Sequence, residues 1–548
     1  METVPVPGWG TIPRMLRDLA ARHGAAEVVG GASPLMSQAP LTLAELAGRA
    51  AEVARGLLAL GVEPGDRVAV WAPNTPDWVV TAYGAWDAGA IIAPLSIRFK
   101  GVEAAELLRK VDAKVLFVPA GELGASCLRM LSEAAGGRAT SGRAAGRPCR
   151  DLAALEHVIS FGTAQQDGLS WDGFLAGGAA VSAGAAEERA LAVGPDDLAE
   201  IMATSGTTGT PKGVMLHHAQ LLRGYWDWAE IVTLGPDDRY PIIAPFSHGF
   251  GLNAGLLACV LKRATMLPIA GFVPDELMKM IERERISILA GPPTLFFRVL
   301  DELGAYDVSS LRVAICGAAA VPPELIRRLR DRVGLDRMIN AYGLMEGTVV
   351  SMTRDGDPVD VVARSAGHAV PGVSIEIVDD DGKALPPGER GEILVGGYGV
   401  MRGYWHDPDQ TAAAIDEQGR LRTGDIGALD EHGNLTIVDR KKEMFIVGGF
   451  NVYPAEVEAL LLRHPELAQA AVVGAPAAPG RGEAGWAFVV PAPGAAVEPD
   501  TVIAWARENM SDYKVPRRVI VVDALPANVN GKVDKQALRA MTGESAGE

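Results

Sequence analysis

Strand-like and helical segments alternate over residues 1–135, and this alternation restricts the fold more than any other feature of the sequence. Residues 42–62 have the apolar spacing of an amphipathic helix. Two short apolar stretches at 67–73 and 90–96 then flank a helix-forming segment at 77–90. Short apolar runs joined by helices are typical of a parallel sheet covered by helices. The sequence therefore predicts an α/β fold whose large N-terminal domain consists of parallel α/β subdomains.

The pattern changes twice in the last third of the chain. Short strands separated by turn signals, such as DDDGKALPPGERG at 379–391, predict a small β-barrel or antiparallel sheet at about 366–440. A compact α+β pattern follows from residue 441. Because a chain of 548 residues exceeds one domain, we predict an N-terminal domain of residues 1–440 and a small mobile α+β C-terminal domain of residues 441–548.

Two stretches have few large apolar residues. Residues 136–150 (GGRATSGRAAGRPCR) and 176–190 (AGGAAVSAGAAEERA) are rich in Gly, Ala and Ser. Such stretches offer little surface to bury, so both are predicted to be surface loops.

Charge and composition exclude several classes of function. Lys plus Arg number 51 and Asp plus Glu 68, and the resulting net charge of −17 argues against nucleic acid or an acidic membrane as partner. The first ten residues lack the basic start and apolar core of a signal peptide. The most apolar long stretch, 249–273, contains Lys262 and Arg263, so no membrane span is expected. The four cysteines form no C-x-x-C motif. These features predict a soluble cytoplasmic enzyme.

Residues 204–213 (TSGTTGTPKG) have the composition of a phosphate-binding loop. Its glycines let successive backbone N–H groups converge on one anion, and its hydroxyls and Lys212 add donors. The loop differs from the P-loop of kinases and GTPases, because Pro211 rather than Gly precedes Lys212. The alternative is a flexible linker. We favour phosphate binding, since the loop interrupts strand-like and helical sequence.

The loop is one of a set of motifs that resembles the adenylate-forming superfamily of acyl-CoA synthetases, adenylation domains and firefly-type luciferases. The other motifs follow in the order of the family and extend the resemblance over nearly the whole chain: NAYGLMEG at 340–347, GERGEILV at 388–395, RTGD at 422–425, DRKKEMFIVGGFNVYPAEVE at 439–458 and NVNGKVDK at 528–535.

The resemblance implies a two-step reaction with ATP, Mg²⁺ and CoA. A carboxylate attacks the α-phosphorus of ATP and releases pyrophosphate, and a thiol then attacks the acyl-adenylate. Because the first step joins two anions, donors and cations at the phosphates are expected to dominate catalysis. Glu346, with Thr204, is expected to hold Mg²⁺. The predicted ATP and AMP contacts are Thr204, Ser205, Gly206, Thr207, Thr208, Gly209, Lys212, Asn340, Tyr342, Met345, Asp425 and Arg440.

Individual roles follow from the same resemblance. Asp425 is expected to accept hydrogen bonds from both ribose hydroxyls. Asn340 and Tyr342 are expected at the adenine, and Arg440 at the ribose or a phosphate. Without the motifs, ordinary interpretations would be a turn Asp, a core Tyr with a satisfied hydroxyl and a surface Arg.

Three sites are implied after residue 440. Lys532 is expected to contact the carboxylate and the α-phosphate during adenylation, although a Lys in a Gly turn is usually only solvated. Lys442 matches the hinge about which the C-terminal domain rotates between the two steps. Gly448 and Gly449 are expected to let the pantetheine arm pass close to the backbone.

The stretch APFSHGFGLNAG at 244–255 corresponds to the acid-binding segment of the family. Amino-acid-activating relatives place an Asp here, whereas this segment has no carboxylate, so an acid without an α-amino group is predicted. Small residues here and in CGAAA at 316–320 indicate room for a bulky apolar acid, as in actinobacterial ligases for fatty, aryl or polycyclic acids. The predicted acid pocket is His248, Gly249, Phe250, Gly317 and Ala318.

His248 carries a second expectation. It resembles the pocket His of acyl- and aryl-CoA ligases and is therefore a candidate catalytic residue with Glu346 and Lys532. The alternative is a hydrogen-bonded His of the core.

Met345 departs from the family pattern, which has a Thr at this position. A lost hydroxyl bond to a charged phosphate costs about 1.5–3 kcal/mol, or about 10- to 150-fold in rate. This predicts weakened adenylation beside an intact thioester step, and in the extreme an enzyme that uses an adenylate made by a partner ligase. The alternative is that hydroxyls of Thr204–Thr208 compensate and Met345 is a tolerated variation.

The sequence thus predicts a carboxylic acid–CoA ligase that depends on ATP and Mg²⁺. A loader of a separate carrier protein is the main alternative. Luciferase-like oxidation and a non-catalytic binding protein are further alternatives, and retention of Lys212, Glu346, Asp425 and Lys532 argues against the last. The oligomeric state is left open, a dimer included.

Overall fold

The computed structural model describes residues 5–31, 39–135, 151–164, 168–204, 212–291, 293–317, 321–335, 337–440, 443–447, 450–476, 483–510, 512–528 and 532–544. The chain divides into two units, one of Met1–Ile375 with Val395–Leu421 and one of Glu376–Leu394 with Arg422–Glu548. The domain boundary near residue 440 stays a prediction.

The described strands, numbered in chain order, are β1 (Glu27–Val29), β2 (Leu41–Thr42), β3 (Arg67–Val70), β4 (Ile91–Pro94), β5 (Ala113–Val118), β6 (His157–Ser160), β7 (Leu169–Ser170), β8 (Leu198–Thr204), β9 (Lys212–His217), β10 (Arg239–Ile242), β11 (Thr265–Pro268), β12 (Ile288–Gly291), β13 (Val313–Gly317), β14 (Arg337–Leu344), β15 (Thr348–Met352), β16 (His368–Ala369), β17 (Val373–Val378), β18 (Gly391–Gly397), β19 (Gly403–Tyr404), β20 (Leu421–Leu429), β21 (Leu435–Arg440), β22 (Phe445–Val447), β23 (Phe450–Val452), β24 (Leu467–Pro476), β25 (Glu483–Pro491) and β26 (Arg518–Val521).

The described α-helices are α1 (Ile12–His23), α2 (Leu43–Ala59), α3 (Pro76–Asp87), α4 (Gly101–Lys110), α5 (Gly121–Ala134), α6 (Trp171–Gly177), α7 (Ala183–Ala192), α8 (His218–Ile231), α9 (Gly249–Gly251), α10 (Ala258–Lys262), α11 (Pro274–Glu284), α12 (Pro293–Asp301), α13 (Pro323–Val333), α14 (Val359–Arg364), α15 (Pro408–Ala414), α16 (Pro454–Leu461), α17 (Pro499–Asn509) and α18 (Lys535–Glu544).

Local sequence explains where helices begin. Thr42 caps α2 through a reciprocal capping box with Glu45, in which the Thr42 side chain accepts from the Glu45 N–H and the Glu45 carboxylate accepts from the Thr42 N–H. Thr75 caps α3 and Pro76 occupies its first position, where a missing N–H costs nothing. The helices predicted at 42–62 and 77–90 are therefore confirmed.

The prediction of a loop at 176–190 was wrong, because most of that stretch forms α7. Ser182 caps the helix by accepting a hydrogen bond from the Ala185 N–H at 3.1 Å. Alanine has the highest helix propensity, and Ala186 and Ala190 are buried. A scarcity of large apolar residues thus did not prevent folding. The other predicted loop, 136–150, lies outside the described residues.

An eight-stranded sheet in the order β19-β9-β8-β4-β3-β5-β6-β7 is the largest in the first unit. Neighbours from β8 through β4, β3, β5 and β6 to β7 are parallel. The β8–β9 and β9–β19 pairs at the other end are antiparallel. The parallel α/β arrangement inferred from the alternating pattern is confirmed.

The first unit contains two further described sheets. One has the order β12-β13-β14-β15-β16, with β12, β13 and β14 parallel and β14–β15 antiparallel. The other has the order β10-β11-β1-β2. The turn between β14 and β15 carries Met345 and Glu346, so the five-stranded sheet positions two candidate site residues.

The second unit contains most of a four-stranded sheet in the order β17-β18-β20-β21, where the sequence predicts a barrel or antiparallel sheet. Its β20–β21 pair is antiparallel and places Asp425 opposite Arg440. The other described elements of the unit include the antiparallel β22–β23 pair and a three-stranded β24-β25-β26 sheet with helices. This matches the α+β pattern predicted from residue 441.

Candidate active site

The strands on either side of the predicted phosphate loop form one antiparallel pair. Thr204, the last residue of β8, is in register with Lys212, the first residue of β9. β19 pairs with the outer edge of β9, with Tyr404 opposite Val214. Loop residues Ser205, Gly206, Thr207, Thr208 and Gly209 lie outside the described residues.

Lys212, Tyr404 and Glu346 form a cluster next to the ends of this loop, called here the Lys–Tyr–Glu cluster. The Lys212 Nζ atom lies 4.7 Å from the centroid of the Tyr404 ring. The Tyr404 hydroxyl donates a 3.0 Å hydrogen bond to Glu346 Oε1. Lys212 Nζ also donates to Gln410 Oε1 at 2.8 Å. One phenol thus connects a cation and a carboxylate beside the predicted phosphate loop.

A tight turn fixes the backbone of Glu346. The Gly347 N–H donates to the Leu344 carbonyl at 3.1 Å, and Thr348 begins β15 with a φ of 54°. The Glu346 carbonyl accepts from the Met401 N–H at 2.8 Å. A positive φ at a β-branched residue is unfavourable, so surrounding contacts must hold this turn in place.

Met345 packs on the predicted acid-binding segment, residues 244–255. A Cβ atom built on Gly249 would lie 2.9 Å from the Met345 Sδ atom and 3.4 Å from its terminal methyl. A side chain at 249 therefore requires the Met345 side chain to shift. The turn that carries Glu346 therefore also contacts the segment predicted to bind the acid.

Polar groups hold the predicted acid-binding segment and the strand before it. Asn74 Nδ2 donates to the carbonyls of Ile242 and Ala244 at 3.0 and 2.9 Å, and Asn74 Oδ1 accepts from the Phe246 N–H at 2.8 Å. His248 Nδ1 accepts from the Phe250 N–H at 3.2 Å and caps α9.

A π-helical segment, Leu252–Leu257, follows α9. π-helical insertions frequently occur at functional sites. Neighbouring atoms occupy the space beside two glycines of α9 and this segment. A Cβ on Gly251 would lie 2.2 Å from the Pro245 carbonyl oxygen, and one on Gly255 would lie 2.8 Å from Ile242 Cγ2. These two glycines therefore allow close packing and do not leave the room that was predicted for a bulky acid.

The adenine candidates lie on β14. Asn340 Nδ2 donates to the Ser365 carbonyl at 2.9 Å, so part of its amide is used by the protein itself. Tyr342 lies opposite Ser351, next to an irregularity in the β14–β15 register. Gly317 ends β13, the neighbour of β14, whereas Ala318 lies outside the described residues.

The remaining candidates belong to the second unit. Asp425 is 4 % exposed, and its N–H donates to Thr423 Oγ1 at 3.1 Å. Lys532 is exposed, and its N–H donates to Asn528 Oδ1 at 3.1 Å, while its carbonyl accepts from the Asn528 N–H at 2.7 Å. Lys442, Gly448 and Gly449 lie outside the described residues.

Tyr404 was missed by the sequence reasoning. It lies 58 residues from Glu346 along the chain, and no local pattern joins the two. Asn74 was missed for the same reason, since 172 residues separate it from Phe246. A tyrosine or asparagine in isolation carries no signal for a long-range contact.

Glu200 and Asn253 form a buried polar pair that the sequence reasoning also missed. Both are 0 % exposed, and Asn253 Nδ2 donates to Glu200 Oε1 at 2.8 Å. Burial raises the pKa of the Glu200 carboxyl to about 7, and the Asn253 bond opposes this. A Glu inside the otherwise apolar β8 sequence LAEIMA is a signal that could have identified it.

The described residues fit a metal ion held mainly by its substrate. No group of three or more His, Cys, Asp or Glu side chains converges in the described part of the chain. Mg²⁺ is commonly bound through one or two carboxylates together with phosphate oxygens and water. Glu346 offers one carboxylate beside the predicted phosphate loop.

In the described part of the chain, no helix is long and apolar enough to span a bilayer.

Comparison with known families and proteins gives consistent matches along the chain. Residues 16–405 match the AMP-binding enzyme family, and residues 456–532 match the AMP-binding enzyme C-terminal domain. The chain is 44% identical over 492 residues to a 3-[(3aS,4S,7aS)-7a-methyl-1,5-dioxo-octahydro-1H-inden-4-yl]propanoyl:CoA ligase of Mycobacterium tuberculosis, covering 89% of this chain and 91% of that protein. It is 35% identical over 512 residues to a feruloyl-CoA synthase of an Amycolatopsis species, covering 92% and 94%.

Solved structures also match the chain over nearly its whole length. The crystal structure of ATP-bound MatB from Rhodopseudomonas palustris superposes with a TM-score of 0.81 at 27% identity, covering 97% of this chain and 98% of that one. A Mycobacterium tuberculosis fatty acyl CoA synthetase superposes with a TM-score of 0.71 at 27% identity, covering 98% and 99%.

Proposed function

Since the chain belongs to the AMP-binding enzyme family, we propose that it is an AMP-forming acyl-CoA ligase that joins a bulky apolar carboxylic acid to CoA. The acid first reacts with ATP to give an acyl-adenylate and pyrophosphate. The CoA thiol then displaces AMP. Both co-substrates belong to the cytoplasm, which is where we place the enzyme.

The Lys–Tyr–Glu cluster carries this proposal. Adenylation joins a carboxylate to a triphosphate, so its transition state needs cations and donors that are already in position. Lys212 supplies a cation at the end of the phosphate loop, and Glu346 supplies a carboxylate for Mg²⁺ beside it. Tyr404 fixes the distance between the two charges before any nucleotide arrives.

The remaining ATP contacts are proposed from the family motifs. We assign the β- and γ-phosphates to residues 204–209, the adenine to Asn340 and Tyr342, and the ribose to Asp425 and Arg440. The Nδ2 atom of Asn340 is already bonded to Ser365, so its Oδ1 is the atom proposed to accept from the adenine amino group. Mg²⁺, when bound, neutralises phosphate charge, with Thr204 and Glu346 as its proposed protein ligands.

Lys532 is proposed to act on the reacting carboxylate and the α-phosphate during adenylation. Its side chain is exposed, and it lies in the motif NVNGKVDK at 528–535, to which the family resemblance gives this role. Lys442 is proposed as the hinge that moves Lys532 out of the site before the thiol attacks. Gly448 and Gly449 are proposed to border the path of the pantetheine arm.

The acid is proposed to be a fused-ring or similarly bulky acid without an α-amino group. The segment 244–255 has no carboxylate to pair with an ammonium group. The relative at 44% identity is named for a propanoyl substituent on an octahydroindene ring system. We propose that His248, Gly249, Phe250, Gly317 and Ala318 border the pocket, with specificity set by its shape.

A panel of acids tests the proposal. Fused-ring propanoates, aryl acids, fatty acids and amino acids are each incubated with ATP, Mg²⁺ and CoA, and the thioester is detected by mass. We expect fused-ring acids to react and amino acids to fail. Hydroxylamine in place of CoA traps any adenylate. Trapped hydroxamate without CoA thioester would point to another acceptor, and a phosphopantetheinylated carrier protein is then supplied. Neither product from any acid would contradict the proposal.

A further inference from the structure

Two buried polar atoms next to the candidate active site have no hydrogen-bond partner among the described residues. They are Glu200 Oε2 and Asn253 Oδ1, and they belong to the two side chains already joined by the 2.8 Å bond between Asn253 Nδ2 and Glu200 Oε1. Buried polar atoms in native proteins are nearly always bonded, because leaving one unpaired costs free energy. Both atoms are acceptors when Glu200 is ionised, so neither can satisfy the other.

A single proton on Glu200 would give both atoms a hydrogen-bond partner. A protonated carboxyl has a donor O–H as well as an acceptor oxygen, and an amide has a donor N–H₂ and an acceptor oxygen. The two planar groups can therefore pair head to tail through two hydrogen bonds. Asn253 Nδ2 donates to Glu200 Oε1, as the structure shows. The Glu200 Oε2–H group would then donate to Asn253 Oδ1.

The surroundings of Glu200 favour the neutral acid. Its cross-strand neighbours are Ile92 on β4 and Leu216 on β9, both apolar. From α8, the titratable neighbour is Tyr225, which also contacts Asn253 and whose pKa is raised by burial and by Glu200. Among the described residues, no cation acts on the carboxyl, and burial raises its pKa to about 7.

The pair joins the two segments that must cooperate in adenylation. Glu200 lies on β8, four residues before Thr204, where the predicted phosphate loop begins. Asn253 lies in the π-helical segment directly after α9. Its Nδ2 is 3.7 Å from the point that a Cβ on Gly249 would occupy, next to the Met345 sulfur. A shift of this amide would therefore change the packing of the acid-binding segment and of the turn that carries Glu346.

We propose that Glu200 is a positioning residue which, as a neutral carboxylic acid paired head to tail with the Asn253 amide, holds the strand of the phosphate loop against the acid-binding segment. The inference rests on the proposed ligase function for its effect on adenylation. The pairing itself does not depend on that function.

The first test measures the pairing alone, by thermal unfolding of the full chain between pH 4.5 and 8.5. A carboxyl whose pKa is raised on folding binds its proton more tightly in the folded state, so its stabilisation is complete at low pH and is lost as pH rises towards 7. Glu200→Gln keeps two hydrogen bonds as an amide–amide pair and does not titrate. We expect the unfolding temperature of wild type, measured relative to that of Glu200→Gln, to fall as the pH rises from 4.5 to 8.5.

The exchanged pair is the matched control. Glu200→Gln combined with Asn253→Asp again contains one carboxyl and one amide, so the pH dependence is expected to return. Glu200→Leu, which removes the pair, is expected to lower the unfolding temperature at every pH. A constant difference between wild type and Glu200→Gln across the pH range would overturn the pairing, whatever Glu200→Leu does.

The second test measures the positioning role through pyrophosphate exchange. Above pH 7 the wild-type carboxyl ionises and the pair loses one bond. The ratio of wild-type to Glu200→Gln exchange rate is therefore expected to fall at least threefold between pH 6 and 8.5. A constant ratio would overturn the positioning role. An absence of exchange in wild type with every acid would contradict the proposed ligase function, and the unfolding data would still decide the pairing.

Discussion

Tyr404 donates a 3.0 Å hydrogen bond to Glu346 although 58 residues separate them in the sequence. The same ring lies 4.7 Å from the ammonium nitrogen of Lys212. The tyrosine is 7 % exposed, so its geometry is fixed by packing. A rigid phenol between the proposed phosphate cation and the proposed metal carboxylate sets their spacing.

Tyr404→Phe tests this arrangement. The substitution keeps the ring under Lys212 and removes the hydroxyl that orients Glu346. A hydrogen bond to a charged group contributes about 1.5–3 kcal/mol, so we expect pyrophosphate exchange to slow about 10- to 150-fold. Tyr398→Phe is the matched control, because it loses a hydrogen bond of similar length to another carboxylate, that of Asp227 at 3.1 Å. The control is expected to lose stability and to keep its exchange rate. Equal slowing in both variants would contradict the assignment.

Met345→Thr introduces the residue that the family resemblance predicts at this position. If the missing hydroxyl weakens adenylation, the variant is expected to speed pyrophosphate exchange about 10-fold or more, while thioester formation from a synthetic adenylate stays unchanged. Brisk exchange in wild type together with no gain in the variant would show that Met345 is a tolerated variation.

Gly249→Ala tests the contact between the acid-binding segment and Met345. The new Cβ would lie 2.9 Å from the Met345 Sδ atom, closer than van der Waals contact allows. We expect KM for the acid to rise at least fivefold. Met345→Ala in the same chain removes the collision and is expected to recover most of the loss. Residues in direct contact commonly show coupling energies of about 0.5–3 kcal/mol. Additive effects of the two substitutions would argue that the side chains do not meet.

Lys532→Ala separates the two half-reactions. We expect adenylate formation to fall far more than thioester formation from a supplied adenylate, because the proposed rotation about Lys442 carries Lys532 away before the second step. Lys535→Ala is the control. It removes a nearby cation whose partner is Glu458 at 2.9 Å, and is expected to leave the ratio of the two rates unchanged. Similar losses in both half-reactions of Lys532→Ala would count against its role.

Local patterns in the sequence are enough to predict the fold class and the order of the candidate site segments. Alternating apolar runs and amphipathic helices predict a parallel sheet because each element must bury its apolar face, and β3, β4, α2 and α3 follow that pattern. The composition of the loop at 204–213 predicts phosphate binding. Such signals are local, so they can be read from neighbouring residues.

How those segments meet depends on long-range contacts, which the structure reveals. Tyr404 joins Lys212 to Glu346, Asn253 pairs with Glu200, and the Met345 sulfur fills the space beside Gly249. Helix α7 also depends on packing: it has few large apolar side chains, and its Ala186 and Ala190 are buried against neighbouring residues. Each of these contacts depends on where distant strands and helices bring side chains in space. Periodicity and composition describe which face of an element is apolar, and they hold no information about which polar group on another element will face it.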